Sequence, residues 1–367
     1  FVNDVSDLDD LNLTSQGDAV TWTSDGQTLT ATAGGRTVMT VDIDAATGNW
    51  DVDLDDQFDH DGPQDPGVEN TGLAGTDDAN IDLSAYLTAT DYDGDTVTGV
   101  TAGQFTVTVV DDIPVEDLTA NAINATVDES GLNSSIEASD QSDGNPDDVG
   151  GPDSLGTSDE DSGSGNNSIA SLFSIGADDD IGDDDEVAQV SYGFVNDVSD
   201  LDDLNLTSQG DAVTWTSDGQ TLTATADAGG SKTRTVMSVS IISATGDWSV
   251  DLDDQFDHVD DDTGQNSDLQ GTGAPGSIDL SGYLTATDFD GDTVTGVTAG
   301  QFTITIVDDV PTGGDPQNVI LANYYDGSDE TTSISGTGEL NFSVGADDGY
   351  SSIVLNLSGS NLDGGYI

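Results

Sequence analysis

Residues Phe1 to Ala33 recur without change as Phe194 to Ala226. This constrains the fold more than any other feature, because each element the first run forms must also be available to the second. The correspondence continues beyond a short insertion. Arg36-Thr-Val-Met39 matches Arg234-Thr-Val-Met237, and Asp53 to His60 matches Asp251 to His258. Tyr86 to Thr96 matches Tyr283 to Thr293, and Val110-Asp-Asp-Ile-Pro114 matches Val307-Asp-Asp-Val-Pro311. The four tryptophans pair as Trp22 with Trp215 and Trp50 with Trp248, as expected if each is a core residue of its module.

A third copy is begun: Phe342-Ser-Val-Gly-Ala-Asp-Asp348 matches Phe173-Ser-Ile-Gly-Ala-Asp-Asp179. The repeat divides the chain into the later part of one module (1–114), a complete module (115–311) and the front of another (312–367). The sequence therefore reads as a window on a longer array. The middle module carries extra residues within Glu137 to Asn167, a stretch of Ser, Gly, Asp and Pro with almost no apolar side chain. That composition predicts a long solvated loop.

Period-two alternation dominates, and helical periodicity is nearly absent. Ala19 to Thr23 and Thr28 to Thr32, joined by Ser24-Asp-Gly-Gln27, predict a hairpin. Thr37 to Ile43 and Trp50 to Leu54 predict another. Ile81 to Thr90 and Gln104 to Val110 add two strands. Ser171 to Ile175, Glu186 to Val190, Leu340 to Val344 and Ser352 to Leu357 add the front of the module. Short strands at this spacing predict an all-β fold of tandem immunoglobulin-like or cadherin-like β-sandwiches.

Composition now narrows the function. The chain has 74 acidic residues against 3 Lys plus Arg and a formal charge of −71. Arg36, Lys232 and Arg234 cannot supply the basic surface that nucleic acid or an anionic membrane requires. Apolar runs are too short for a transmembrane helix, and the absence of cysteine excludes a disulfide scaffold. The charge alone would suggest disorder. Against this, 34% of the residues are apolar, and the acid is 66 Asp to 8 Glu. Asp favours turns and short cation-binding loops, so folded β structure with Asp-rich loops is expected. Divalent cations or high salt would relieve the self-repulsion.

The clearest candidate loop is Asp91-Tyr-Asp-Gly-Asp-Thr96, with its copy Asp288-Phe-Asp-Gly-Asp-Thr293. Asp91, Asp93 and Asp95, like Asp288, Asp290 and Asp292, place three carboxylates at alternate positions around a glycine turn, where they can converge on one hard cation. The spacing is not that of an EF-hand, because the glycine comes fourth and Ala102 or Ala299 stands where the closing Glu belongs. The plainer alternative is an acidic turn without an ion. Asp111 and Asp112 before Pro114, and Asp308 and Asp309 before Pro311, sit where a module ends and could share an ion with the next. A third set is Asp178 and Asp179, echoed by Asp347 and Asp348. The two histidines, His60 and His258, share one repeat position after Gln-Phe-Asp and read as solvated strand-end residues in preference to transition-metal ligands. No nucleophilic constellation is visible, so an enzyme is the least favoured class.

In order, Val127-Asp-Glu-Ser-Gly-Leu132, Phe-Ser-X-Gly-Ala-Asp, Phe-Asp-His, Ala-Thr-Asp-X-Asp-Gly-Asp-Thr and Val-Asp-Asp-X-Pro resemble the tandem repeats of large type I-secreted RTX (repeats-in-toxin) adhesins of Gram-negative bacteria. The resemblance implies β-sandwich extender modules rigidified by Ca2+, an extracellular or cell-surface location, and a role in adhesion and biofilm. It carries calcium onto Asp91, Asp93, Asp95 and their copies, and onto the Asp-Asp pairs before Pro114 and Pro311. The glycine-rich nonapeptide calcium repeats of such proteins are absent here. The expected partners are neighbouring repeats of the same chain or of the next protomer, with host or biofilm surfaces met by domains outside this segment. Two other readings stay open: a self-assembling filament subunit, and a carbohydrate- or protein-binding module.

Overall fold

A computed structural model describes residues 1–60, 71–76, 80–132, 159–178, 190–227, 233–259, 267–271, 276–289, 291–310, 312–313, 337–338, 342–343 and 345–346. Strands dominate, mostly in antiparallel sheets, and the helical turns are short 3-10 segments. The fold is all-β.

The predicted hairpins form. In the first unit Thr21–Ser24, Thr28–Ala33, Arg36–Ile43 and Trp50–Leu54 make a four-stranded antiparallel sheet in chain order. Along Thr28–Ala33 the residues alternate partly exposed and buried, so the threonines form the outer face and Leu29, Ala31 and Ala33 the core. The Asp-Gly tip works as its chemistry demands. Gly26 takes φ +96°, and Asp25 Oδ1 accepts the Gln27 and Thr28 amides at 2.9 and 2.8 Å.

The second unit repeats this sheet and extends it. Its six strands run in the order Glu160–Gly163, Trp248–Leu252, Thr233–Ile241, Thr221–Asp227, Asp211–Ser217 and Thr207–Ser208. The register shift at Ala31/Thr32 reappears at Ala224/Thr225. A three-stranded sheet of Ile123–Asp128, Phe302–Val307 and Ile278–Asp279 shares its core, and so does the sheet of Ser191–Phe194, Leu284–Thr287 and Thr293–Thr295. Ile123–Asp128 pairs parallel with Phe302–Val307, from Ile123 opposite Phe302 to Asp128 opposite Val307. The apolar residues of the two units form separate cores, one from Phe1 to Val109 and the other from Ile123 to Ile306 with Ala346.

Several expectations need correction. The segment from Ile81 to Thr90 is not one strand. Ile81–Asp82 gives way to a 3-10 turn at Ser84–Tyr86 before Thr88–Thr90, because the Asp82 carboxylate accepts the Ser84 amide and breaks the ladder. Ser171 to Ile175 reduces to Phe173–Ser174. Glu186 to 189 and Ser352 to Leu357 lie outside the described residues. The insert is not all loop, since Glu160–Gly163 pairs with the edge strand Trp248–Leu252. A free strand edge leaves backbone groups unpaired, and even a polar, glycine-bearing segment can satisfy them.

That added strand separates the two copies. Trp248 packs edge-to-face on Phe302 and is 3% exposed, with its Nε1 donating to Asn167 O at 2.8 Å. Trp50 makes the same edge-to-face pair with Phe105 but is 61% exposed. Residues 1–114 hold no counterpart of residues 115–193, the part of the module that covers Trp248, so the exposure of Trp50 is that of a partial module.

Candidate cation sites and module junctions

The Asp91–Asp95 loop joins the paired strands Thr88–Thr90 and Thr96–Thr98. Asp91 Oδ1 accepts the Gly94 and Asp95 amides at 3.0 and 2.8 Å, and Gly94 takes φ +99°. One oxygen of the first carboxylate is thus committed to holding the turn. Carboxylate oxygens of Asp91, Asp93 and Asp95 all lie within 4.8 Å of one another, and the three residues are exposed. This group could hold a metal ion. Hydrogen bonding with Asp93, and then the Asp95 amide, holds Asp91 below the ordinary carboxylate value.

The copy keeps the same turn: Asp288 Oδ1 accepts Gly291 and Asp292 amides at 3.1 and 2.7 Å. Its surroundings differ, because Ser191–Phe194 lies against Leu284–Thr287. Asp288 is 1% and Asp292 5% exposed. Asp290 lies outside the described residues, as do Asp179, Asp347 and Asp348. Asp178 ends the 3-10 turn Gly176–Asp178.

The Asp-Asp-X-Pro motif divides its labour. Its second Asp reaches the following unit: Asp112 Oδ2 accepts the Ala177 amide at 2.9 Å, and Asp309 Oδ2 accepts the Ala346 amide at 3.0 Å. A short antiparallel pair accompanies each contact, Val115–Glu116 with Phe173–Ser174 and Thr312–Gly313 with Phe342–Ser343. Gly176 has φ +86°, and a Cβ there would stand 2.5 Å from the Asp112 carboxylate, so the close approach requires glycine.

The first Asp of the motif turns inward, toward the histidines. His60 Nδ1 lies 3.4 Å from Asp111 Oδ1, with both side chains buried. His258 Nε2 lies 3.3 Å from Glu129 Oε1, which also accepts the Phe256 amide at 2.7 Å. Neither histidine is the solvated strand-end residue expected. Each side chain is 3% exposed and faces an acid far away in sequence. Burial, reinforced by the charges of Asp308 and Asp309, pushes Glu129 far above its ordinary value; the Phe256 and Asp309 amides pull the other way.

Glu129 is the functional candidate that sequence reasoning missed, and His60 and His258 are candidates that it set aside as solvated. The available signal was their fixed place in Val-Asp-Glu-Ser-Gly-Leu and Phe-Asp-His. In the latter motif Phe58 enters the core, while Asp59 accepts the Gln16 and Gly17 amides at 2.6 and 3.0 Å.

No family model matches the chain, and neither a curated protein nor a solved structure matches it. Among the described residues no helix is long and apolar enough to cross a membrane.

Proposed function

We propose that this chain is an extender segment of a large secreted adhesin. Its tandem immunoglobulin-like β-sandwich modules are stiffened by Ca2+ at the Asp-rich loops and junctions, and they carry an adhesive region away from a bacterial surface. The observation that carries this reading is the repeated junction. The same Asp carboxylate, two residues before the proline, holds the same backbone amide of the following unit in both places. A contact made twice with the same atoms fits an array whose neighbouring units keep a fixed relation. The role is mechanical, not catalytic. Export by a type I system and a place in biofilm adhesion follow from the resemblance to RTX repeats.

Calcium is the preferred ion at the Asp91 loop because three exposed carboxylates offer only oxygen, and Ca2+ accepts six to eight oxygens in flexible geometry, completing its shell with carbonyls and water. Thermal melting of the full chain tests this directly. Calcium should raise the Tm relative to chelator, and Asp91→Asn with Asp93→Asn should reduce that gain. An unchanged Tm in chelator at low salt would remove the ion from the reading.

A second reading, assembly through strand addition, is favoured by one observation. Trp50, Leu54, Val97 and Val100 are all at least half exposed or nearly so, at 61, 49, 62 and 50%. In the second unit the counterpart of the Trp50 strand is covered by Glu160–Gly163. Sedimentation over a range of concentrations tests it: a strand-adding filament subunit lengthens with concentration, whereas an extender segment stays monomeric.

A further inference from the structure

The parallel pairing of Ile123–Asp128 with Phe302–Val307 brings both strands out at one edge. The next residue after each strand is an acid, Glu129 and Asp308, so topology alone places the two acids side by side. His258 enters from a third direction, at the isolated bridge to Leu269. One ligand atom from each of Glu129, His258 and Asp308 lies within 4.8 Å of the others.

Three observations distinguish this group from the exposed acidic turns. Glu129 is 0% exposed, and its Oε2 has no hydrogen-bond donor among the described residues. Among the described residues the neighbourhood holds no Lys or Arg. Asp308 and Asp309 are 9 and 2% exposed, while Arg36 and Arg234 are engaged elsewhere, with Asp56 and Asp254. Buried carboxylates in that setting call for a counter-charge. The third observation is the donor set, which contains an imidazole nitrogen 3.3 Å from a carboxylate oxygen. Two ligands about 2.1 Å from a tetrahedral ion stand about 3.4 Å apart.

We infer that Glu129, His258 and Asp308 form a structural site for a first-row divalent transition ion, of which Zn2+ is the type. Calcium prefers oxygen alone, whereas imidazole with carboxylates suits zinc and its neighbours. The ion ties the ends of two parallel strands to the Phe256–His258 segment. Asp309, the next residue after Asp308, holds the Ala346 amide of the following unit, so the ion also braces the junction. The site stands independently of calcium at the Asp91 loop. The first unit supplies an internal comparison: residues 1–114 hold no counterpart of the Val127 to Leu132 segment that carries Glu129, and His60 has Asp111 with no third acid grouped with it among the described residues.

The test is zinc titration of the chelator-treated full chain in excess Ca2+, which keeps oxygen-only sites filled. One saturable Zn2+ site is expected. His258→Gln should weaken it by at least about tenfold, whereas His60→Gln should leave it unchanged. Should His258→Gln fail to fold, zinc X-ray absorption of the His60→Gln protein decides the matter. The chain has two histidines, so imidazole scattering in that variant reports His258. An oxygen-only shell, the absence of saturable uptake, or loss of the site in His60→Gln would each overturn the assignment.

Discussion

An aspartate in this chain is often a backbone ligand. Asp9 Oδ1 accepts the Trp22 amide and Asp202 Oδ1 the Trp215 amide, both at 2.8 Å, tying a 3-10 turn to the adjacent strand in each unit. Asp25, Asp44 and Asp218 are held below the ordinary carboxylate value chiefly by backbone amides, and Asp4 and Asp197 by the Ser6 and Ser199 hydroxyls and then by the same residues' amides. Holding amides is thus a commoner visible use of the acid than gathering round a cation. It also explains the preference for Asp over Glu: the shorter side chain reaches amides two or three residues on. Asp253 behaves in the opposite way. Burial, then the charges of Asp251, Asp159 and Asp254, pushes it up to about 6. Between the unfolded value of 3.8 and about 6, the folded state keeps a proton that the unfolded state has lost. Stability from this group is thus complete below pH 3.8 and falls as pH rises toward 6. Asp253→Asn should be nearly neutral at pH 4 and stabilising at pH 7.5 by roughly 1 kcal/mol, allowing for solvent screening of a half-buried group. Urea melts at the two pH values check the difference. The arginines give a contrast within one molecule. Arg234, with a side chain 6% exposed, bonds Asp254 at 2.7 Å, whereas the 29%-exposed Arg36 bonds Asp56 at 2.9 Å. Arg234→Gln should cost about 3 kcal/mol by leaving the fully buried Asp254 charge without its guanidinium, although the Gln209 side chain and the Gln255 amide still donate to it, and Arg36→Gln about 1 kcal/mol or less, as denaturant melts of the two variants would show.

At the level of elements, nearly the same sequence, with Asp51 in one copy and Ser249 in the other, does not carry the same burial. The strand from Trp50 has all but one of its residues exposed, while its counterpart from Trp248 alternates buried with partly or fully exposed. In the second unit the strand Glu160–Gly163 pairs along it, and it comes from the insert, the stretch whose composition least suggests structure, whereas residues 1–114 hold no counterpart of residues 115–193. Gly163 makes the fit possible, since a Cβ there would stand 2.4 Å from Trp248 Nε1 and 2.5 Å from Asn167 O. Gly163→Val should therefore detach the strand at a cost of about 1–3 kcal/mol and shift Trp248 fluorescence to the red. An unshifted spectrum with unchanged stability would show that the strand is not what buries Trp248. The alternating Thr and apolar residues make the hairpins legible in the sequence. The histidines' burial is not legible there, because Glu129 and His258 are 129 residues apart and meet only through a parallel pairing. Alternation reports which face a residue takes, not which distant strand covers that face.

For the whole molecule, the repeat by itself divides the chain, and two separate apolar cores follow one another along it. What the repeat does not reveal is how one unit meets the next. That depends on Asp112 and Asp309 reaching amides in the following segment, a tertiary contact that motif spacing does not encode. Asp112→Ala should loosen the first junction while leaving the hydrophobic cores intact. Small-angle scattering would then report a broader distribution of interatomic distances with little change in melting temperature. The strongest physical constraint on the entire chain remains its charge of −71, which at low salt favours expansion unless cations offset it. The central proposal is that calcium converts this self-repelling array into a stiff one. Small-angle X-ray scattering of the full chain at low ionic strength, in Ca2+ and then in excess chelator, measures that most directly. Calcium should give the profile of a rigid particle with a sharply bounded maximum dimension, and chelator a larger, flexible ensemble. Superimposable profiles in the two conditions would contradict it.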